Sequence, residues 1–330
     1  MKTMILSERF IGGELAYYRA LKKRIVLAGQ DAKSLAIQEK GFAGECEYDR
    51  VFDEAGHGSV FVFRDIYLRI DGKTAQYDCL IVNDDGIVVN EIKNYSGLYR
   101  YESGKWFIGK SEVSEDALSQ LRRAIGRLVK MRYEVRGAFD ISGKIIFPNI
   151  EFRLQSSDEE LWNNIVMRAG LRNYLMQFKN MYAGRVAENI AEVIRQHIIP
   201  NPFLDKSADF DSLRKGLYCG DCGRFELETN HFYMTCQKCG KTEKKETHVL
   251  RAISDYKSLF LNDKLTKQRF MEFIDYKVSE RTVFRLLNKY CNQITKGKWT
   301  YYEFRYRDFD EAYQVHEILN RYKDKITNSN

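Results

Sequence analysis

The chain lacks long apolar runs. No stretch approaches the roughly 18 apolar residues that cross a bilayer, so a membrane-spanning helix is not expected. Prolines are scarce, with only three, at 148, 200 and 202. Two of them fall together in IIPNPF, which marks that segment as a linker. Internal repeats and low-complexity segments are missing as well. The N-terminus, MKTMILSERFIGG, has an apolar run too short and too soon interrupted for a secretory signal. The cysteines are an odd seven, four of them in two close pairs. That pattern argues against a disulfide framework and for a metal site in a reducing compartment. The expectation is a cytoplasmic protein with no membrane partner.

What is present is the composition of a folded protein. Of 330 residues, 44% are apolar and 13% aromatic, enough to build cores in two or three domains. The net charge of +7 and a pI of about 8.8 are compatible with a polyanionic partner without requiring one. The excess is uneven: residues 251–300 hold eleven Lys/Arg against five Asp/Glu.

Apolar periodicity predicts helices over 14–28 and 31–54. Gly41 and Gly44 would each weaken the second helix by about 1 kcal/mol relative to Ala, which makes sense if it presses on a sheet. Strands are expected at 59–70, 75–83 and 86–93, with a hairpin at 99–109. A helix near 115–134 follows, its stripe formed by Leu118, Leu121, Ile125, Leu128 and Val129. One or two strands at 144–154 and a mainly helical stretch at 159–196 complete the N-terminal body. The pattern predicts an α/β fold.

Within the expected strands, QYDCLIVNDDGIVVNEIKNYSG carries Asp78, Glu91 and Lys93 inside an apolar frame. Alternation puts Glu91 and Lys93 on one face. Asp84-Asp85-Gly86 supplies turn chemistry. If Asp84-Asp85 is the loop, paired numbers sum to 169 and Asp78 faces Glu91. If Asp85-Gly86 is the loop, they sum to 171 and Asp78 faces Lys93. A three-residue loop would instead put Asp78 opposite Ile92 and break the arrangement. Two carboxylates and an ammonium suit metal-assisted hydrolysis, with hard oxygens for Mg²⁺ and a lysine for water or phosphate. The alternative is a solvated hairpin face. The continuous apolar runs at 79–82 and 87–89 point instead to a sheet covered on both sides.

These residues and their neighbours resemble the NERD (nuclease-related) domain proteins, placed among PD-(D/E)xK nuclease-like folds. The matching pieces are KGFAGE at 40–45, FRDIYL, QYDCLIV, GIVVNEIKNYSG, the helix with ALSQLRRA and the strand KIIF. They cover roughly residues 40–155, and a leading helical arm is also seen in similar bacterial proteins. The resemblance implies a restriction-endonuclease-like mixed sheet flanked by helices. It also implies that Asp78, Glu91 and Lys93 form the D…ExK core. Glu45 matches an acidic residue of the first helix that completes the metal site, and Gln76 a polar residue before the aspartate. Gln120 matches a glutamine lining the site or touching DNA. Many relatives carry Asn-Pro upstream of that glutamine, where this chain has Glu115-Asp116-Ala117-Leu118-Ser119. From the residues alone, Gln120 is equally a core-rim hydrogen bonder and Glu45 a solvated helix charge.

Cys219-Gly-Asp-Cys222 and Cys236-Gln-Lys-Cys239 are thirteen residues apart, each followed by Gly. Two such knuckles with a hairpin between them predict a zinc ribbon, its four thiolates closed around a structural Zn²⁺. Beyond it, 262–292 predicts two short helices capped by Thr266 and Ser279, and GKWTYYEFRYR can form a wing. Arg281, Thr282, Arg285, Asn288 and Lys289 are expected outward, as in a winged helix-turn-helix-like DNA reader. The alternative is a small helical domain with a solvated basic face.

The expected organisation is a helical arm (1–39), a nuclease-like domain with helical extension (40–200), a zinc ribbon (213–247) and a helix-turn-helix-like domain (251–330). The expected function is a metal-dependent endonuclease acting on DNA with Mg²⁺ or Mn²⁺. RNA is left open because nothing reads a 2′-hydroxyl. The alternative is a non-catalytic nucleic-acid-binding regulatory protein on a nuclease-like scaffold.

Overall fold

The computed structural model describes residues 4–135, 138–297 and 299–317. It opens with β1 (Met4–Ser7), α1 (Gly13–Arg24) and α2 (Gly29–Ala55). Three long strands follow: β2 (Phe61–Ile70), β3 (Lys73–Asn83) and β4 (Gly86–Ile92). Then come β5 (Gly97–Glu102), β6 (Lys105–Ile108), β7 (Ser111–Val113), α3 (Ala117–Leu128), β8 (Asp140–Phe147) and β9 (Phe152–Gln155). Next are α4 (Glu159–Asn164), β10 (Ile165–Met167), α5 (Arg168–Met176), α6 (Arg185–His197) and β11 (Ile198–Ile199). The remainder holds β12 (Leu227–Thr229), β13 (Tyr233–Cys236), β14 (Thr242–Lys244), α7 (Lys245–Leu259), α8 (Lys267–Phe273), α9 (Glu280–Tyr290), β15 (Cys291–Lys296) and β16 (Trp299–Phe304). Two compact units emerge: residues 1–11 with 36–203, and residues 12–35 with 204–330.

The first unit is built on a mixed sheet ordered β1-β2-β3-β4-β8-β10, with β11 also on β2. β2, β3 and β4 form an antiparallel meander, while β1–β2, β4–β8 and β8–β10 are parallel. Both faces of this sheet are covered. Leu80, Val82, Ile87 and Val89 pack with Leu118 and Leu121 of α3 and Ile190 and Ile194 of α6. Cys79 and Ile81 pack with Tyr48, Val51 and Phe52 of α2 and Leu171 and Leu175 of α5. Double burial is why these strands read as unbroken apolar runs. A second sheet, β7-β6-β5-β9, extends the expected 99–109 hairpin. The short parallel strands β1 and β10 were not legible, because three or four residues carry no period.

The β3–β4 turn settles the register. Asn83 pairs with Gly86 and Cys79 with Asn90, so paired numbers sum to 169 and Asp84-Asp85 is the loop. Gly86 has φ 144, and a Cβ there would lie 1.9 Å from the Asp140 carbonyl oxygen, so only glycine fits. Asp84 serves a second purpose: its Oδ1 accepts from the amides of Gly184 (2.8 Å) and Ala187 (2.9 Å), capping α6 from outside.

α2 approaches closely at one of its two central glycines. A Cβ on Gly44 would come within 2.4 Å of Asn94 Cβ, whereas one on Gly41 would meet nothing within 4 Å. The expected close approach therefore holds for Gly44 and not for Gly41.

In the second unit, β12, β13 and β14 make a three-stranded antiparallel sheet beside the cysteines. Phe270, Phe273, Val283, Leu286 and Leu287 are buried between α8 and its neighbours. Thr266 caps α8 through the Arg269 amide (3.2 Å). Ser279 stands at the N-cap of α9, but its hydroxyl faces Thr282 Oγ1 (3.0 Å) in place of a backbone amide. β15 and β16 form an antiparallel hairpin after α9. Arg24 of α1 is buried, stacked 3.8 Å over the Phe273 ring and paired with Asp255 of α7 at 3.2 Å.

Candidate active site and metal centre

β3 changes phase at Asp78. Ala75 and Tyr77 pack in the same cluster as Leu80 and Val82, so strict alternation is broken between them. The cause lies across the ladder. Pairing runs Arg64↔Cys79 and Ile66↔Tyr77, leaving Asp65 opposite Asp78, and Asp65 holds a left-handed φ of 48. The kink turns the strand pair over at that point. Asp78 therefore sits where groups from both sides of the sheet reach it.

The Asp78 carboxylate accepts the Ile92 amide at 2.8 Å, just past the last β3–β4 pair. Its carbonyl accepts from Arg9 Nη2 at 2.8 Å. Glu91 is on β4 and Lys93 comes directly after the strand; Lys93 Nζ lies 3.1 Å from Glu91 Oε1 and 3.8 Å from Glu115 Oε2. The Lys93 amide continues the ladder to Ile146 O (2.8 Å), which fixes its direction. Asn90, the residue before Glu91, turns to the other face, bonding Tyr48 and Tyr174.

Electrostatics mark Asp78. Desolvation, then the Glu91 and Glu45 carboxylates, push its carboxyl well above the usual range, and the Ile92 amide only partly offsets them. For Lys93, burial alone would lower the pKa, but Glu91 and Asp78 outweigh it and hold the ammonium above its ordinary value. Glu45 is raised by burial despite Arg9. Burial lifts the Tyr95 phenol beside Lys93 to about 12, and its hydroxyl lacks a hydrogen-bond partner among the described residues.

Sequence reasoning passed over Arg9. Its Nη1 bonds Glu45 at 2.5 Å and its Nε bonds Asp49 at 2.7 Å. Glu45 is thus beside Asp78 electrostatically but held by an arginine. Asp65 was quoted within FRDIYL without its charge being weighed; it accepts from Gln76 Nε2 at 2.8 Å. A lone charge inside a strand was the available signal. Arg9 carried none, because its partners are 36 to 69 residues away. Gln120 leaves Oε1 buried without a donor among the described residues. It sits on α3, five residues after Glu115.

The donor set of Asp78 and Glu91 suits a hard cation, which needs oxygens and relief from carboxylate repulsion. A closer test separates this pair from the cysteines. Among the described residues, the only group of three or more potential ligands within 4.8 Å of one another is Cys219, Cys222, Cys236 and Cys239. Glu45, Asp78 and Glu91 do not close up that far.

The four sulfurs fit a zinc ion. Sγ of Cys219 and Cys239, and of Cys222 and Cys236, are each 3.5 Å apart. Thiolates tetrahedrally bound at about 2.3 Å would stand about 3.8 Å apart. The knuckles are built alike: Gly223 and Gly240, both with positive φ, donate to the Cys219 and Cys236 carbonyls at 2.9 Å. The Cys239 and Lys238 amides lower the Cys236 thiol to about 7. His231 and His248 stay outside the set; His248 Nδ1 lies 2.9 Å from Tyr218 O.

On α9, Arg281, Arg285 and Asn288 are exposed. Lys289 is engaged, its Nζ 2.6 Å from Glu246 of α7. Among the described residues no helix is long and apolar enough to cross a membrane.

No curated protein and no solved structure matches the chain. A family model does: residues 40–148, which hold Glu45, Asp78, Glu91, Lys93 and Gln120, match the nuclease-related domain, NERD.

Proposed function

We propose that the chain is a metal-dependent endonuclease that hydrolyses DNA phosphodiester bonds at the Asp78 end of its mixed sheet. One observation carries the reading. Asp78 is anchored by the Ile92 amide and crowded by Glu91 and Glu45, with Lys93 3.1 Å from Glu91, all inside the nuclease-related segment. A carboxylate desolvated and crowded by its acidic neighbours makes sense where a cation joins it.

Asp78 and Glu91 would hold Mg²⁺ or Mn²⁺, which when bound supplies an activated water and charge neutralisation at the phosphate. Two carboxylates suffice, because Mg²⁺ keeps several waters and takes further oxygens from phosphate. Glu45, held by Arg9, adds negative field beside Asp78. The Lys93 ammonium, charged through the neutral range, orients water or a phosphate oxygen. Gln120 brings a buried acceptor without a donor among the described residues, on the neighbouring helix. The first unit is read as a restriction-endonuclease-like fold, and α8, α9 and the β15–β16 hairpin as a winged helix-turn-helix-like element. There Arg281, Arg285 and Asn288 contact DNA, while Lys289 does so only by leaving Glu246. The cysteine set holds a structural zinc, and the compartment is cytoplasmic.

A second reading, a nucleic-acid binder without catalysis, is favoured by one fact: Glu91 is already paired with Lys93. A Mg²⁺-dependent cleavage assay on Asp78→Ala and Lys93→Ala separates the two. Each substitution is expected to cost at least about a hundredfold in rate. Unchanged cleavage in both would remove this site.

A further inference from the structure

α3 carries a basic cleft that the site above does not use. Ile70, Lys73, Arg123, Gly126, Arg127 and Lys130 line an open hollow between the β2–β3 turn and the helix. Arg123 and Arg127 stand four residues apart and share one face of α3, and Lys130 follows in the tighter 3-10 turn after it. Lys130 is tied to Asp71 at 2.5 Å. No ion pair is formed by Arg123, Arg127 or Lys73 among the described residues, and Arg123 and Lys73 are exposed. By contrast, Arg122 on the adjoining face is paired with Glu160. Three of the four cations therefore stand outside any close ion pair among the described residues, although Lys73 adds to the positive field on Asp71.

Gly126 is the second observation. It stands inside α3, where glycine costs about 1 kcal/mol relative to alanine. Its φ is ordinary, and an added Cβ would meet nothing within 4 Å, so neither backbone conformation nor packing asks for glycine. A glycine in open space between unpaired arginines leaves room for something outside the chain to approach the helix backbone.

We infer that this cleft binds the phosphodiester backbone of the DNA strand a few nucleotides from the cleaved bond. The placement follows from the helix. α3 begins two residues after Glu115, whose carboxylate is 3.8 Å from Lys93 Nζ. At about 1.5 Å per residue, Arg123 and Arg127 lie about 9 and 15 Å along it. A strand carries one phosphate per about 3.4 Å of duplex axis, so the cleft meets it about three to five nucleotides away. This rests on the nuclease reading for its position, though not for its binding chemistry.

The test measures full-length protein on labelled duplex and single-stranded DNA across a salt series without added divalent cation. Arg123→Ala/Arg127→Ala is expected to bind about tenfold more weakly and to flatten the salt slope by about 1.5. Gly126→Ala is expected to melt higher yet bind several-fold more weakly, a combination a purely structural glycine would not give. A double variant with wild-type affinity and salt slope overturns the proposal, as does a wild-type chain that binds no DNA. A parallel Mg²⁺ cleavage assay keeps the two readings apart. Binding through the cleft without cleavage leaves it standing and removes the nuclease. Wild-type cleavage with an unaffected double variant does the reverse.

Discussion

Asp78 holds a proton more tightly in the folded chain than in the unfolded one, because desolvation, Glu91 and Glu45 all oppose its charge. Its contribution to stability therefore falls as pH rises from the usual carboxylate range through the raised value, and stays low above it. Asp78→Asn removes the charge and keeps an acceptor for the Ile92 amide. The variant should melt about 2–4 °C above wild type at alkaline pH, with the gap closing towards about pH 4. Adding Mg²⁺ should raise the wild-type melting temperature and leave Asp78→Asn unmoved, since only a state that binds the ion is stabilised. Equal melting curves at every pH would mean that Asp78 is not crowded. At this scale the sequence pointed to the three charges, but not to Arg9 or Asp65. Those enter through contacts across the sheet that no local spacing encodes.

Elements decide how closely the site is held. α2 runs against the strand end at Gly44, and β4 runs against β8 at Gly86. Gly44→Ala should cost about 1–3 kcal/mol in denaturant unfolding, because the Asn94 side chain must move. Gly86→Ala should cost more, since its Cβ meets backbone and its φ is strained. If Gly86→Ala unfolds at the wild-type denaturant midpoint, the turn geometry is wrong. Long periodic elements were legible: α2, β2, β3, β4 and α3 all lie near their expected spans. The register was open among three loops until the Asn83–Gly86 pairing chose the sum 169. Short parallel strands such as β10 escaped notice because three residues cannot display alternation.

For the whole molecule, the four-cysteine cluster offers the sharpest test. Metal binding free energy is folding free energy for a module with so small a core. The purified chain should carry one zinc per molecule by elemental analysis. Chelation should expose the amides of 219–244 to hydrogen exchange while those of 61–92 keep their protection. Protection unchanged after zinc loss would show that β12–β14 stand on apolar packing alone. The chain also folds its ends unexpectedly: residues 12–35 group with 204–330, and residues 1–11 with the mixed sheet.

Composition and pattern alone determined the α/β class, the doubly covered central strands and a four-cysteine cluster able to hold a metal, and they raised Asp78, Glu91 and Lys93 as candidates. Each rests on residues close in sequence, where periodicity and spacing act directly. Tertiary structure decided the strand register, the phase change at Asp65 and Asp78, the capture of Glu45 by Arg9 and the pairing of Lys289 with Glu246. Those depend on which distant segments pack together, and the physics of packing is set by the whole fold.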